Sequence, residues 1–328
     1  MNIQFTACGR GTERANAPSR RKAPVTNRLR AAGIIPPSST GRREHIENKL
    51  SESSPIHAVF NPVETALQPV SPVSPPAPYL GGKRNLAKRL TAIIAAVPHT
   101  TYVEPFVGMG GIFFRRASRP RAEVINDLSG DVANLFRILQ RHYEAFMGEL
   151  RWKLTSRAEF DRLRAADPAT LTDIERAARF LYLQRLAFGG KVRGRNFGVD
   201  RRTPARFDLT RLEPLLADVH ERLAGVTIEQ LPYGDLIRRY DGQGVLFYLD
   251  PPYAGCESDY GDGFEPADFE RLASQLAGLS GRFIMSINDT PLIRDLFKDF
   301  TIEVAPTTYT ISTAHGGAKR VGELVISN

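Results

Sequence analysis

Only two cysteines, Cys8 and Cys256, occur in the 328 residues of this chain. They lack metal-type spacing and cannot build a disulfide framework, which suits a reducing cytoplasm. No stretch approaches the roughly 18 uninterrupted apolar residues of a transmembrane helix, and no apolar core of a secretory signal is present, so no membrane association is predicted. His99, His142, His220 and His315 are scattered and form no ligand pattern, so no metal site is expected. No internal repeat is found. The glycines also miss the dinucleotide spacing G-x-G-x-x-G, because position 113 is Phe. That absence, with no candidate proton-transfer pair, argues against a nicotinamide dehydrogenase.

Basic charge is present but unevenly placed. The net charge is +8, and residues 1–77 hold 10 of the 44 basic and 5 of the 36 acidic residues. The remainder is only mildly basic, so a nucleic-acid-binding face must be a local patch. Residues 1–77 have no sustained hydrophobic period and are rich in Pro, Ser and Arg, ending in SPVSPPAP over Ser71–Pro78. A disordered basic tail is predicted there.

Beyond the tail the pattern becomes regular. Leu86, Leu90, Ile93, Ile94 and Val97 form a helical stripe. Thr101–Phe106 reads as a strand, Gly108, Gly110 and Gly111 as a loop, and Ile112–Arg116 as the opening of a helix. Glu123–Asp127 is a second strand ending in an acid, and Val132, Leu135, Phe136 and Leu139 mark another helix. This alternation predicts an α/β fold with a parallel, doubly wound sheet. Residues 150–230 differ. Ser156 with Glu159 and Thr172 with Glu175 are capping-box signatures of two helices. The glycine-rich, basic FGGKVRGRNFGV (Phe188–Val199) follows as a loop or hairpin. The sheet resumes with the apolar run Val245–Leu249, a helix with Phe269, Leu272, Leu276 and Leu279, and strands Arg282–Ile287, Thr301–Ala305 and Glu323–Ser327. Residues 78–149 and 231–328 are thus assigned to one domain, with 150–230 as a helical insert.

Asp250-Pro251-Pro252-Tyr253 stands where the buried strand Val245–Leu249 ends, and ligand crevices of open α/β sheets form at the carboxyl ends of strands. The chemistry suits a planar base bearing an amino group. A carboxylate accepts from an exocyclic NH2, prolines stiffen the turn and remove backbone donors, and a tyrosine face stacks on a base. Glycines in EPFVGMGG (Glu104–Gly111) let backbone approach a ligand closely. Asp127 lies 19 residues after Gly108, the distance from which a carboxylate reaches ribose hydroxyls; the competing reading is a helix cap. Tyr79-Leu80-Gly81-Gly82-Lys83 precedes the first helix, a placement that favours anions.

Taken together, PYLGGK, EPFVGMGG, IND and DPPY, in this order over about residues 79–328, resemble the Dam-type adenine DNA methyltransferases, in the arrangement where target recognition precedes DPPY. The basic loop at Phe188–Val199 and the closing GELVISN extend the likeness, especially to phage-like members; Gly189 stands where that loop commonly has Asn. The resemblance implies a Rossmann-like S-adenosylmethionine-dependent sheet with a target-recognition insert, and site-specific methylation of adenine amino groups in double-stranded DNA by a cytoplasmic monomer. It implies that Tyr79, Gly82, Lys83, Glu104, Phe106, Gly108, Gly110 and Asp250 bind S-adenosylmethionine, with Lys83 and the loop Phe106–Gly110 at its methionine end. Asp127 would bind its ribose and Asp235 would accept from its adenine. Asp250 and Pro251 would grip the target amino group, with Pro252 in the same turn and Tyr253 on the target base. Lys191, Arg193, Arg195 and Asn196 would read DNA, with Arg201, Arg202 and Arg206 on phosphates. Cys256 is expected to be a bystander, since amino-group methylation needs no thiol nucleophile. Methylation of RNA or of protein amides remains as an alternative, disfavoured by Asp at 250, as does a catalytically inactive DNA-binding relative.

Overall fold

The computed structural model describes residues 67–198, 202–255, 264–305 and 322–328. The chain divides into two units, Met1–Val59 and Phe60–Asn328, and every described residue belongs to the second. Cys8, Arg201, Cys256 and His315 lie outside the described residues, as does most of the segment read as a tail.

The strands are β1 (Gln68–Pro69), β2 (Thr101–Glu104), β3 (Ser118–Arg119), β4 (Ala122–Asn126), β5 (Thr227–Glu229), β6 (Val245–Leu249), β7 (Arg282–Asn288), β8 (Thr301–Ala305) and β9 (Glu323–Ser327). The helices are α1 (Ala87–Ala96), α2 (Gly130–Arg141), α3 (Tyr143–Leu150), α4 (Arg157–Ala165), α5 (Asp173–Leu186), α6 (Leu209–Arg222), α7 (Tyr233–Tyr240), α8 (Pro266–Ala277) and α9 (Pro291–Leu296). Seven strands form one sheet in the order β5-β4-β2-β6-β7-β9-β8. All neighbours are parallel except β9, which runs antiparallel between β7 and β8. The sheet therefore grows outward from β2 in both directions, as the alternation of strand and helix predicts.

Period-two alternation divides the sheet's side chains between two apolar cores. Tyr102, Leu246, Tyr248 and Ile284 join one cluster; Val103, Phe247, Leu249, Phe283 and Met285 join the other. Phe160, Phe180, Leu181 and Leu183 of α4 and α5 belong to the first of these clusters. The helical insert thus shares the sheet's own core instead of building a separate one. Of the two predicted capping boxes, that of Thr172 and Glu175 forms reciprocally, whereas Ser156 accepts from Glu159 N but gives its own N–H to the Tyr182 hydroxyl while the Glu159 carboxylate binds Arg162.

Three expectations need correction. Residues 67–77 are packed, not disordered: β1 pairs with β3, Val73 N donates to Phe114 O at 2.7 Å, and Ala77 is buried. The glycine loop opens only a single 3-10 turn at Phe113–Arg115, because the chain straightens at Arg116. That side chain is buried over the Tyr102 ring and donates to Glu123 Oε1 at 2.8 Å. Finally, β5 falls within 150–230 yet pairs with β4, so the insert ends before the sheet resumes at Thr227.

Candidate active site

A cavity of about 1190 Å³ opens at the carboxyl ends of β2, β4 and β6. This is where the strand order reverses, β2 being flanked by β4 on one side and β6 on the other. Chains leaving neighbouring strands in opposite directions part there and leave a crevice. Its wall includes Tyr79, Gly82, Lys83, Glu104, Phe106 and Gly108. Asp127, Asp250 and Pro252 line it as well.

Gly108 has φ +50°, and a Cβ there would come within 2.9 Å of the Tyr79 ring, so glycine is required for both conformation and space. Gly110, at φ +72°, likewise makes room for the Phe114 ring and does not itself face the cavity. Asp127 fixes this loop. Its Oδ2 accepts from Gly108 N and its Oδ1 from Ser129 N, each at 2.9 Å, so one carboxylate joins the loop to the start of α2. Burial lifts its pKa to about 6, against the two backbone donors that favour the anion. Cap and ligand-facing carboxylate are therefore compatible: a carboxylate offers about four lone-pair sites, and Asp127 also lines the cavity. Glu104 ends β2, nearly fully buried, and its Oε2 accepts from the Tyr102 hydroxyl at 2.7 Å. Burial raises its pKa to about 8, which leaves it mostly protonated near neutrality.

The turn after β6 is held by a buried ammonium. Lys83 Nζ lies 2.9 Å from Asp250 Oδ1, 2.6 Å from Glu323 Oε1 and 2.8 Å from the Tyr253 hydroxyl. The Tyr253 hydroxyl donates to Glu323 Oε2 at 2.8 Å. Burial opposes the Lys83 charge, but the two carboxylates outweigh it and hold its pKa above the ordinary lysine value. Burial also raises Asp250 to about 6, opposed by Lys83. Pro251 is buried behind the turn, and neither it nor Tyr253 lines the cavity wall.

Asp235 is not in this wall. It stands half exposed in the first turn of α7, ion-paired with Arg238. Residues two apart on a helix point about 200° away from each other, and here Tyr233 takes the inward direction. Tyr233 packs with Phe106 and Phe264 at centroid distances of 5.5–5.8 Å, and all three line the cavity. Sequence reading missed Tyr233 and Phe264, because one opens α7 and the other precedes α8, far apart in the chain. It also missed two buried asparagines. Asn126 donates to Pro105 O and Leu231 O and accepts from Leu231 N, tying two wall loops together. Asn288 makes paired bonds with Ala254 N and O, just beyond Tyr253. Both end strands in the same Ile-Asn-Asp triplet, Ile125–Asp127 and Ile287–Asp289, and that repetition was the available signal.

Residues 79–311 match the D12 class N6 adenine-specific DNA methyltransferase family. The chain belongs to this family. It is 26% identical to the type II methyltransferase M1.LlaDCHI of Lactococcus lactis subsp. cremoris, over 76% of this chain and 93% of that one. It is also 26% identical to the DNA adenine methylase of Vibrio cholerae, over 75% and 93%, and to the retron Ec67 DNA adenine methylase of Escherichia coli, over 75% and 88%. The chain is thus an adenine-specific DNA methyltransferase, and the family uses S-adenosylmethionine.

In this D12-class enzyme the basic loop is a small hairpin at the end of α5. Phe188 N donates to Asn196 O and Gly198 N to Leu186 O, and Ala187 bridges Phe197. Lys191, Arg193 and Asn196 are exposed, and Arg193 also reaches the cavity wall. Arg195 departs from the expectation that it reads DNA. Its guanidinium turns inward over the Phe180 ring, donating to Gln184 Oε1 at 3.1 Å and to Lys191 O at 3.3 Å. Phe188, 64% exposed, is an outward apolar side chain on the same hairpin. The hairpin is tied to the cavity wall: Leu80 N donates to Gly190 O at 3.1 Å, and buried Gln184 donates to both Pro78 O and Gly190 O. Among the described residues no cluster of His, Cys, Asp and Glu is arranged to hold a metal ion, and no helix is long and apolar enough to cross a membrane.

Proposed function

We propose that the protein methylates the amino group of an adenine flipped out of a specific sequence in double-stranded DNA, acting in the cytoplasm as a monomer. The reading rests on one juxtaposition above all: Asp250, at the end of β6, shares a single cavity with Asp127 and the Gly108 loop. The wall suits S-adenosylmethionine. Asp127 faces a ribose, Phe106, Tyr233 and Phe264 offer apolar faces to a purine, and Tyr79, Gly82 and Glu104 border the methionine end. When bound, the cofactor supplies an electrophilic methyl group.

The chain's own residues do the rest. An adenine stacked in a duplex cannot enter this cavity, so it must leave the stack at a cost of a few kcal/mol. Its amino nitrogen is a weak nucleophile, because the lone pair is delocalised into the ring. Asp250 and the Pro251 carbonyl accept from the two N–H groups and favour a more tetrahedral nitrogen. They also stabilise the positive charge that nitrogen gains, which is preorganised electrostatic catalysis. Tyr253, in the same turn though not in the cavity wall, would stack on the base beyond it. Lys191, Arg193 and Asn196, exposed on the hairpin, would contact DNA, and Arg202 and Arg206 would contact phosphates. The test is Asp250→Ala, assayed for labelled methyl transfer to duplex DNA and, separately, for cofactor affinity. Transfer should vanish while cofactor affinity is largely kept; a variant with wild-type turnover refutes the assignment of Asp250.

A further inference from the structure

The buried acid Glu323 has no place in the reading so far. It opens β9, is 1% exposed, and spends both oxygens inside the active site: Oε1 on Lys83 and Oε2 on the Tyr253 hydroxyl. An ammonium has three N–H donors, and Lys83 meets three acceptors: Asp250, Glu323 and Tyr253. Its hydrogen-bonding capacity is therefore saturated within the cluster.

Charge counting then assigns Glu323 a task. Lys83 alone beside Asp250 would cancel the charge that has to face the reacting amine. With Glu323 present the cluster carries one positive and two negative charges, a net of minus one. During transfer the amine lone pair forms the N–C bond while the C–S bond breaks and returns its pair to sulfur. Positive charge thus moves from sulfur to nitrogen, and the surplus N–H proton is released to the carboxylate that already accepts it. A cluster held at net minus one favours that redistribution and a neutral one does not. We propose that Glu323 is a positioning residue for methyl transfer, offsetting the Lys83 charge so that the cluster facing the amine stays net negative, and anchoring the hydroxyl of Tyr253. The inference rests on the function proposed above.

Among the described residues, the other groups acting on Asp250 are Glu104 from β2 and Tyr248 from β6. Among the described residues, only Glu323 offers a second carboxylate to Lys83. The Glu323 charge raises the Asp250 pKa, so its removal should lower it.

The experiment compares wild type, E323Q, E323D and the double variant K83M/E323Q in single-turnover methyl transfer to duplex DNA at saturating cofactor. Cofactor affinity is measured by calorimetry, and the Asp250 carboxyl is titrated by 13C NMR in the free proteins. E323Q should slow transfer by on the order of 10²-fold, the lower range for losing one preorganised electrostatic group. Its cofactor affinity should stay near wild type, and its Asp250 midpoint should move to lower pH. E323D should recover part of the rate. The double variant also removes the cation that opposes the burial of Asp250, so its Asp250 midpoint should lie above those of both E323Q and wild type. It also keeps the test decisive if E323Q folds poorly. The proposal is overturned if E323Q transfers at wild-type speed, if its Asp250 midpoint stays put or rises, or if the double variant's midpoint is no higher than that of E323Q. An inactive wild type would instead refute the underlying function.

Discussion

Asp127 and Glu104 are carboxyl groups at the ends of adjacent strands, yet their surroundings give them opposite tasks. Asp127 accepts two backbone N–H bonds before any ligand arrives. Asp127→Ala should therefore weaken cofactor binding by roughly 1.5–3 kcal/mol, the scale of a hydrogen bond to a charged group. It should also lower the melting temperature of the free protein, since Gly108 and Ser129 lose their shared acceptor. Calorimetry with and without cofactor separates the two effects, and an unchanged dissociation constant would reduce Asp127 to a cap. Glu104 has a folded-state pKa of about 8 against an ordinary 4.5. A raised carboxyl pKa stabilises the fold fully below the ordinary value, and that contribution is lost as pH rises through the folded value. Stability should thus decline between about pH 4.5 and 8, and Asp127 and Asp250, both near 6, add to the decline with the same sign. Glu104→Gln cannot ionise but can still accept from Tyr102. Its melting temperature should depend less on pH and exceed wild type at pH 8; melts over that range with parallel pH slopes would contradict this.

At the scale of elements, what could be read in the sequence was what is local in the chain. Asp250 was legible because its strand, prolines and tyrosine are contiguous, and the helix caps because their partners lie three residues apart. Arg195 was not, because its direction is set by Phe180 and Gln184 on α5. That Tyr233 and not Asp235 faces the cavity depends on the phase of α7, fixed only when the helix docks. Glu323 looked like the polar edge of an apolar strand until folding brought it to Lys83. The segment 67–77 has no hydrophobic period, but Val73 and Ala77 still find the core and Pro76 O accepts from Arg185 at 2.7 Å. A protein beginning at residue 67 should match the full chain in stability. One beginning at residue 78 loses β1 and those contacts, and should melt at lower temperature; equal melting temperatures for the two truncations would show that the packing contributes nothing. On the hairpin, Lys191→Ala and Arg193→Ala should each weaken DNA binding or relax preference at one base, a loss of roughly 1–3 kcal/mol for a base contact. Arg195→Ala should mainly lower stability. Binding profiles on a randomised duplex library and melting curves distinguish these outcomes, and a reversed pattern would mean that Arg195 leaves its inward position when DNA binds.

For the whole molecule, the decisive feature is that the strand order β5-β4-β2-β6-β7-β9-β8 reverses at β2. The ends of β2, β4 and β6 thereby meet at one cavity, with the loops of the chain's four motifs in or behind its wall. Strand–helix alternation predicted the parallel part of this sheet. The antiparallel insertion of β9 is a long-range pairing that alternation does not encode, although it is what delivers Glu323. The helical insert shares a core with the sheet, so the hairpin and the cavity should unfold together in one cooperative transition. The function proposed for this cavity is delivery of a methyl group to the amino nitrogen of adenine. The most direct measurement is to treat unmethylated duplex DNA with the protein and isotopically labelled S-adenosylmethionine, digest the product to nucleosides and identify them by mass spectrometry. The label should appear in N6-methyladenine alone, and only with Asp250 intact. Label in a cytosine product, or in adenine at equal yield with Asp250→Ala, would contradict the account.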